Sequence, residues 1–479
     1  MPRVGQVKQS EGERLSDRVA LGVLTRLVPR HLVDEVLTET GRREQRVRLL
    51  PARMVVYYVM ALALFFGDGY EEVMRRLVGS LRQMGAWRSD WVVPSTAALT
   101  KARARLGPEP LRLLFERVAT PMAPPSMAGA FYAGRRVMAV DGTNIDLCDT
   151  AENVAEFGYS SGDGAFPQVR VVALAEARTH AVIAISTGRA RVGERELFVK
   201  LLDHLSPGML LLADRGFLSY DLWGRCLATE ADLCWRAKSA AEMPVLEILP
   251  DGSYLSQLLD PAMVEKNRWQ KRNRTPRPLE IPSHTVRVIE YKVTARTGEA
   301  TEPDTYRLIT TLLDPDEAPA PELCALYHRR WELESTFDEI KTTQRGAGIV
   351  LRSKSPPMVY QELYALLLTH YAVRELMLGA APEDENSELE RLSFLRSLRL
   401  VRRHVTDQAA TSPLRALRSP LPQHEQRFVS GPTPRRRQRT NPRAIKRARH
   451  SAHPVKKSQH LSHRHDGPPT LIVQRRAEL

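Results

Sequence analysis

The chain has 479 residues, a formal net charge of +14 and a pI near 9.8, and 43% of its residues are hydrophobic. A chain of this size and apolar content buries a large core in two or three domains, and its basic balance favours a polyanionic partner, nucleic acid first. Four cysteines without a CxxC pair exclude a zinc or disulfide framework, the N-terminus lacks a signal-peptide core, and the longest apolar run, 54–66, is too short for a bilayer, so a cytoplasmic protein with no membrane partner is expected.

From about 12 to 122 the sequence is a series of amphipathic helices, with apolar residues three and four apart. Pro94-Ser95 or Thr96 opens one of them and Gly107-Pro108 closes it, leaving TAALTKARARL with Lys101, Arg103 and Arg105. This helix either reads DNA or carries plain surface charge. From Arg136 the texture changes to strands. VMAV ends at Asp141, QVRVVALAEARTHAVIAISTG makes two strands around a turn at Arg178-Thr179-His180, a helix follows at about 194–205, and the run MLLLA ends at Asp214. Both acids therefore stand at strand ends, where the side chains of adjacent strands converge on one sheet edge. Each alone also suits a turn, since Asp141 precedes Gly142-Thr143 and Asp214 precedes Arg215-Gly216. Together they repel unless a cation lies between them, which points to a divalent metal.

A helix at SYDLWGRCLATE and a strand at ADLCWRAK follow. Residues 239–303 turn irregular, with a basic loop KNRWQKRNRTPR and an alternating strand TVRVIEYKVTAR, and read as an inserted β-rich subdomain. In that loop Lys266, Arg268, Lys271, Arg272, Arg274 and Arg277 surround Trp269, which suits backbone phosphates with one aromatic platform for a base. A solvated loop with its tryptophan anchored in the subdomain is the competing reading. TYRLITTLL returns the chain to the main sheet.

The stretch 327–341 reads YHRRWELESTFDEIK. On a regular helix Arg330, Glu334 and Lys341 fall about −60°, −20° and −40° from Tyr327, so a tyrosine, two cations and a carboxylate share one narrow stripe. Such a stripe serves either a phosphate-handling site or an exposed helix laced with ion pairs, for which Glu332, Glu339 and Arg329 on the other faces are ready material. Asp338 lies about 20° from Tyr327, so helical geometry leaves it open beside Glu334 as the third acid. Three carboxylates can hold two metal ions that clamp the attacking and leaving oxygens of an in-line displacement. A helix at about 359–378 reads as core. Beyond about 381 hydrophobic periodicity is lost, and the arginine run 435–449 reads as a disordered nucleic-acid-binding tail, with incidental histidines at 450–465.

These residues resemble the DDE transposases of the bacterial insertion element 4 family over nearly the whole chain except the C-terminal tail. The most specific part is the spacing of Tyr327, Arg330, Glu334 and Lys341, which is similar to that family's YREK signature; DGTNIDLCDT, LLLADRGF, YRLITTLLD and ALALFFGDGYEEVMRRL also look like family blocks. The resemblance implies an α/β, ribonuclease-H-like catalytic domain at 131–390 with a β-rich insertion at about 239–303. An all-helical, DNA-binding N-terminal domain at 1–130 precedes it, and a mostly disordered basic tail at 391–479 follows. It also implies that Asp141, Asp214 and Glu334 are a triad binding two Mg²⁺ ions, with Mn²⁺ as a substitute, and the signature spacing selects Glu334 over Asp338. Asp146, an understudy to Asp141, lies past the inferred strand end. Tyr327, Arg330 and Lys341 would hold the phosphates of the element's terminal strand. The implied activity is cleavage of an insertion sequence's ends and their joining to target DNA. The implied partners are double-stranded DNA with terminal inverted repeats, target DNA, and a second copy in a synaptic homodimer, at the nucleoid. The rivals are a metal-dependent nuclease that cuts without joining and a non-catalytic DNA-binding remnant.

Overall fold

A computed structural model describes residues 23–44, 50–83, 92–160, 164–238, 243–273, 279–294, 305–346, 348–380, 392–406 and 470–474. The N-terminal part is helical: α1 (Val23–Leu27), α2 (Arg30–Glu39), α3 (Ala52–Leu64), α4 (Tyr70–Gln83), α5 (Thr96–Leu106) and α6 (Glu109–Val118). The apolar run at 54–66 is α3, in which every residue except Arg53 is buried. Such a helix, apolar on all sides, forms only where neighbours cover it all round. Ser95 caps α5 by accepting from the Ala98 N–H, and Gly107 ends it at φ +69°. Arg103 on α5 is 1% exposed and donates to Gln361 Oε1 (2.8 Å) and Ser353 Oγ (3.1 Å), so it anchors the helix internally and is not free to read DNA. Lys101 and Arg105 remain exposed.

The rest of the chain forms β1 (Phe131–Tyr132), β2 (Arg135–Asp146), α7 (Ala151–Phe157), β3 (Gln168–Glu176), β4 (Val182–Arg189), α8 (Glu194–Val199), β5 (Met209–Ala213), α9 (Tyr220–Leu227) and β6 (Asp232–Ala237). Then come β7 (Glu247–Ile248), β8 (Tyr254–Leu259), α10 (Pro261–Arg272), β9 (Ser283–Thr294), β10 (Thr305–Thr310), α11 (Ala320–His328) and α12 (Trp331–Asp338). A π-helical segment (Glu339–Gln344), α13 (Pro356–Ala380), α14 (Phe394–Thr406) and β11 (Thr470–Val473) complete the order. The strands make one mixed sheet in the order β4-β3-β2-β5-β6-β10-β9-β8-β7, with β1 on β2 and β11 on β9. β2, β3 and β4 are an antiparallel meander, while β5 and β6 run parallel to β2. Both faces are covered, which is why the strands read as apolar runs: Val137 and Ala139 of β2 join the core that contains α3 and α13, and Met138 and Val140 join the one that contains Phe198 and Trp223.

Three expectations change. The strands of 239–303 extend the main sheet, since β8 pairs with β9, β9 with β10 and β10 with β6, so the insertion is no separate subdomain. Its basic stretch is a helix as far as Arg272, begun where Asp260 Oδ1 accepts from the Ala262 N–H, rather than a loop. On α10 Trp269 is 56% exposed, Arg268 lies one residue before it, and Arg272 pairs with Glu265 at 2.8 Å; the Lys271 side chain, Arg274 and Arg277 lie outside the described residues. Past residue 381, α14 buries Phe394, Leu398, Val401 and Val405, a four-three-four spacing that folds part of the expected tail onto the core. Residues 407–469, with the arginine run and the histidines, lie outside the described residues. Among the described residues no helix is long and apolar enough to cross a membrane.

Candidate active site

The parallel register of β2 on β5 brings the first two acids together. Arg136 pairs with Met209 and Ala139 with Leu212; carried two residues further, the same register sets Asp141 level with Asp214. Asp214 follows β5 directly, as expected. Asp141 does not end its strand: β2 continues to Asp146, because its antiparallel pairing with β3 outlasts the parallel one. Asp146 is occupied elsewhere, accepting from Gln168 Nε2 at 2.6 Å. Each acid accepts a backbone N–H just after it, Asp141 Oδ1 from Gly142 within β2 (2.9 Å) and Asp214 Oδ1 from Gly216 in the turn after β5 (2.7 Å).

The stretch 327–341 is not one regular helix. α11 stops at His328, and the bonds Arg330 N–H to Tyr327 O and Leu333 N–H to Arg330 O tighten the passage into the first turn of α12. After Asp338 the chain widens into the π-helical segment. Uniform angular spacing therefore fails, yet the signature residues still gather. Arg330, 6% exposed, reaches Asp141 at 3.8 Å and Glu334 at 3.6 Å. Lys341 Nζ donates to Thr143 Oγ1 at 2.9 Å, two residues from Asp141. Tyr327, 2% exposed, donates its hydroxyl to the Ala213 carbonyl at 3.3 Å, so it holds the strand end that carries Asp214 instead of facing a phosphate. Asp338 is exposed, whereas Glu334 faces Arg330. Of the residues expected to supply ion pairs, Glu339 pairs with Arg374, Glu332 meets His180 Nε2 in a hydrogen bond (2.8 Å), and Arg329 donates to the Gly129 carbonyl (2.8 Å).

Electrostatics tie the set together. Burial, the largest influence, raises the Asp141 pKa to about 6; Arg330 and the Gly142 N–H pull it down, and Asp214 and Glu334 push it up. Burial works against the Arg330 charge, but Tyr327, Asp141, Asp214 and Glu334 raise its pKa above the ordinary value. The Arg330 Nε is buried without a hydrogen-bond partner, and its contacts to both acids are longer than good hydrogen bonds. In kind, three carboxylate oxygen donors suit a hard divalent cation. In spacing they do not yet form a cage: among the described residues no three His, Cys, Asp or Glu groups stand close enough to hold an ion, and the Arg330 guanidinium bridges Asp141 and Glu334.

Sequence reasoning missed Glu194, the first residue of α8. Its carboxyl packs over Gly142 beside Asp141, where a Cβ would lie 2.5 Å from it and push the side chain aside.

Residues 18–116 match the family described as insertion element 4 transposase N-terminal, and residues 132–371 match the transposase DDE domain. The chain belongs to the DDE transposases. It is 29% identical over 423 residues to the transposase InsG for insertion sequence element IS4 of Escherichia coli strain K12, covering 87% of this chain and 89% of that protein. The putative transposase InsZ of the same strain is 26% identical over 199 residues, 41% of this chain and 64% of that protein. Among solved structures, piggyBac transposase in a synaptic complex with hairpin DNA aligns over 85% of this chain and 83% of that one, with 11% identity and a TM-score of 0.45. This transposase is thus an enzyme of DNA cleavage and transfer, in a family that depends on divalent metal.

Proposed function

We propose that Asp141, Asp214 and Glu334 are the metal-binding carboxylates of a ribonuclease-H-like catalytic domain that cleaves the ends of an insertion sequence and joins them to target DNA. The observation that carries this reading is the meeting of Asp141, level with Asp214, and Glu334 on the two sides of one buried arginine. Two Mg²⁺ ions, with Mn²⁺ as a substitute, would supply an acidified water and stabilise the leaving 3′ oxygen. The chain's own groups do the rest. Arg330 leaves its two long carboxylate contacts and offers its planar fork to the scissile phosphate, and Lys341 adds a mobile point charge beside Thr143. Tyr327 keeps the end of β5, and with it Asp214, in register. No covalent protein nucleophile is needed, because catalysis rests on positioning and charge neutralisation.

Arg268, Trp269, Lys271 and Arg272 on α10 are proposed as a DNA-binding surface outside the centre, with Trp269 free to stack on a base. Two copies acting on two ends form the synaptic unit at the nucleoid. The test is Glu334→Gln assayed on DNA carrying the element's ends: metal-dependent cleavage and the strand-transfer product both disappear while DNA binding persists. Full cleavage by that variant refutes the assignment, and hydrolysis of ends by the wild type without any joined product favours the nuclease reading.

A further inference from the structure

The helix that carries Glu334 is joined to a second, buried set of titratable groups that the chemistry does not use. His180, Glu339, His370 and Arg374 are 7%, 8%, 0% and 5% exposed, and they form one connected hydrogen-bonded cluster. Arg374 grips Glu339 with a two-point fork, Nε to Oε2 at 3.0 Å and Nη2 to Oε1. The same Nη2 contacts His180 Nδ1, while His180 Nε2 meets Glu332 Oε2 at 2.8 Å. Arginine can only donate, so His180 Nδ1 accepts and its proton sits on Nε2, directed at Glu332. His370 Nε2 adds a bond to Glu339 at 3.0 Å, and Phe394 of α14 closes the cluster, 5.1 Å from the His370 ring and 5.5 Å from the Arg374 guanidinium.

What matters is where the two glutamates sit. Glu332 is in the first turn of α12 and Glu339 is the first residue after it, so the cluster holds both ends of the helix that carries Glu334. His180 belongs to the turn between β3 and β4, and β3 is the strand paired with the Asp141 strand. Arg374 comes from α13. We propose that this buried cluster is a positioning device: His180 and Arg374 fix the pitch of α12, and the change to π-helix after it, against the β2–β3 pair, and so set Glu334 relative to Asp141. A short π-helical stretch is costly and persists where surrounding contacts hold it, commonly near functional sites. Here it also turns Lys341 toward Thr143.

The inference rests on the proposed metal-binding role of Glu334. His180 has φ +62°, a left-handed backbone that asparagine tolerates, so His180→Asn removes the reach to Glu332 and Arg374 without straining the turn. Glu332→Ala removes the other end of the same contact, and Glu332→Gln keeps an acceptor there. Each full-length variant is measured for hydrogen exchange across residues 331–341 without metal, for the Mg²⁺ concentration that half-saturates its thermal shift, and for cleavage rate. His180→Asn and Glu332→Ala are expected to speed exchange in 331–341 alone and to raise the Mg²⁺ half-saturation about 10- to 100-fold, the usual cost of losing a group that orients a metal ligand. Glu332→Gln stays within about twofold of wild type, because the hydrogen bond survives. Unchanged exchange and half-saturation in His180→Asn overturn the proposal, as does a loss spread over the whole sheet in proportion to unfolding. Glu334→Gln run alongside separates the two claims: if it keeps its Mg²⁺ response, the reading of the site fails; if it loses that response while His180→Asn keeps it, only the positioning claim fails.

Discussion

Glu334 and Glu339 are five residues apart and live under opposite physics. The Glu334 side chain is 34% exposed, and its contact to Arg330 is 3.6 Å long. Glu339 is buried between Arg374, His370 and His180. Burial alone would raise the Glu339 pKa, but the Arg374 charge above all, with the hydrogen bonds around it, holds it well below the ordinary carboxylate value. The long Glu334–Arg330 contact is one that a cation or a phosphate could replace. Glu339 is fully satisfied and cannot exchange anything without unfolding its surroundings.

Exchanging the roles breaks the contrast most sharply. Under the proposed metal-binding role, Glu334→Gln lowers metal-dependent end cleavage by about 10³-fold or more while its urea midpoint stays near wild type, because the acid is partly exposed. Glu339→Gln strikes the fold first: leaving Arg374 buried without its anion costs about 3–5 kcal/mol in the same urea titration, and the molecules that stay folded also cleave more slowly, because the end of α12 is released.

A third contrast is in pH. Asp141 has a folded pKa of about 6 against 3.8, so the metal-free folded protein holds the extra proton. Its stabilising contribution, on the order of 3 kcal/mol, is complete below about pH 4 and is lost as pH rises through 6. Glu339, depressed in the folded state, has the opposite sign: its contribution is present above the ordinary carboxylate range and is lost as pH falls through its lowered pKa. Asp141→Asn should remove the decline between pH 4 and 6 in a stability–pH profile and leave the acid limb in place. The smallest effect belongs to Asp338→Asn, which should change neither cleavage nor stability by more than about 0.5 kcal/mol in free-energy terms, since that acid is exposed. A large loss of cleavage there would reopen the choice of third carboxylate.

Much of this was legible in the sequence, and the misses have physical causes. Strands buried on both faces announce themselves as apolar runs, so β2, β3, β4, β5 and β6 were readable, as were α3 and α13. The separation of Asp141 and Asp214 in sequence is itself the parallel register of β2 on β5, although only the structure makes that visible. The site's helix was readable as a cluster of residue types but not as a shape, because the pinch at Arg330 and the π-segment after Asp338 are imposed by tertiary contacts such as Arg374 to Glu339. His180 and Arg374 carried no local signal at all; 194 residues separate them. Arg103 shows the same limit in reverse. A basic residue on a short helix read as a surface charge, and a distant glutamine on α13 buried it. α14 is different, since its four-three-four spacing was present in the sequence and was masked only by the arginines on its other face.

The central proposal is that Asp141, Asp214 and Glu334 together hold the divalent cations. It is tested most directly by loading the protein with Fe²⁺ in place of Mg²⁺ and mapping where hydroxyl radicals generated by peroxide and ascorbate cut the backbone. The account predicts cuts near residues 141–143, 214–216 and 331–335, competed away by Mg²⁺ and absent from Asp141→Asn. Cuts that fall elsewhere, or that persist unchanged in Asp141→Asn, contradict it.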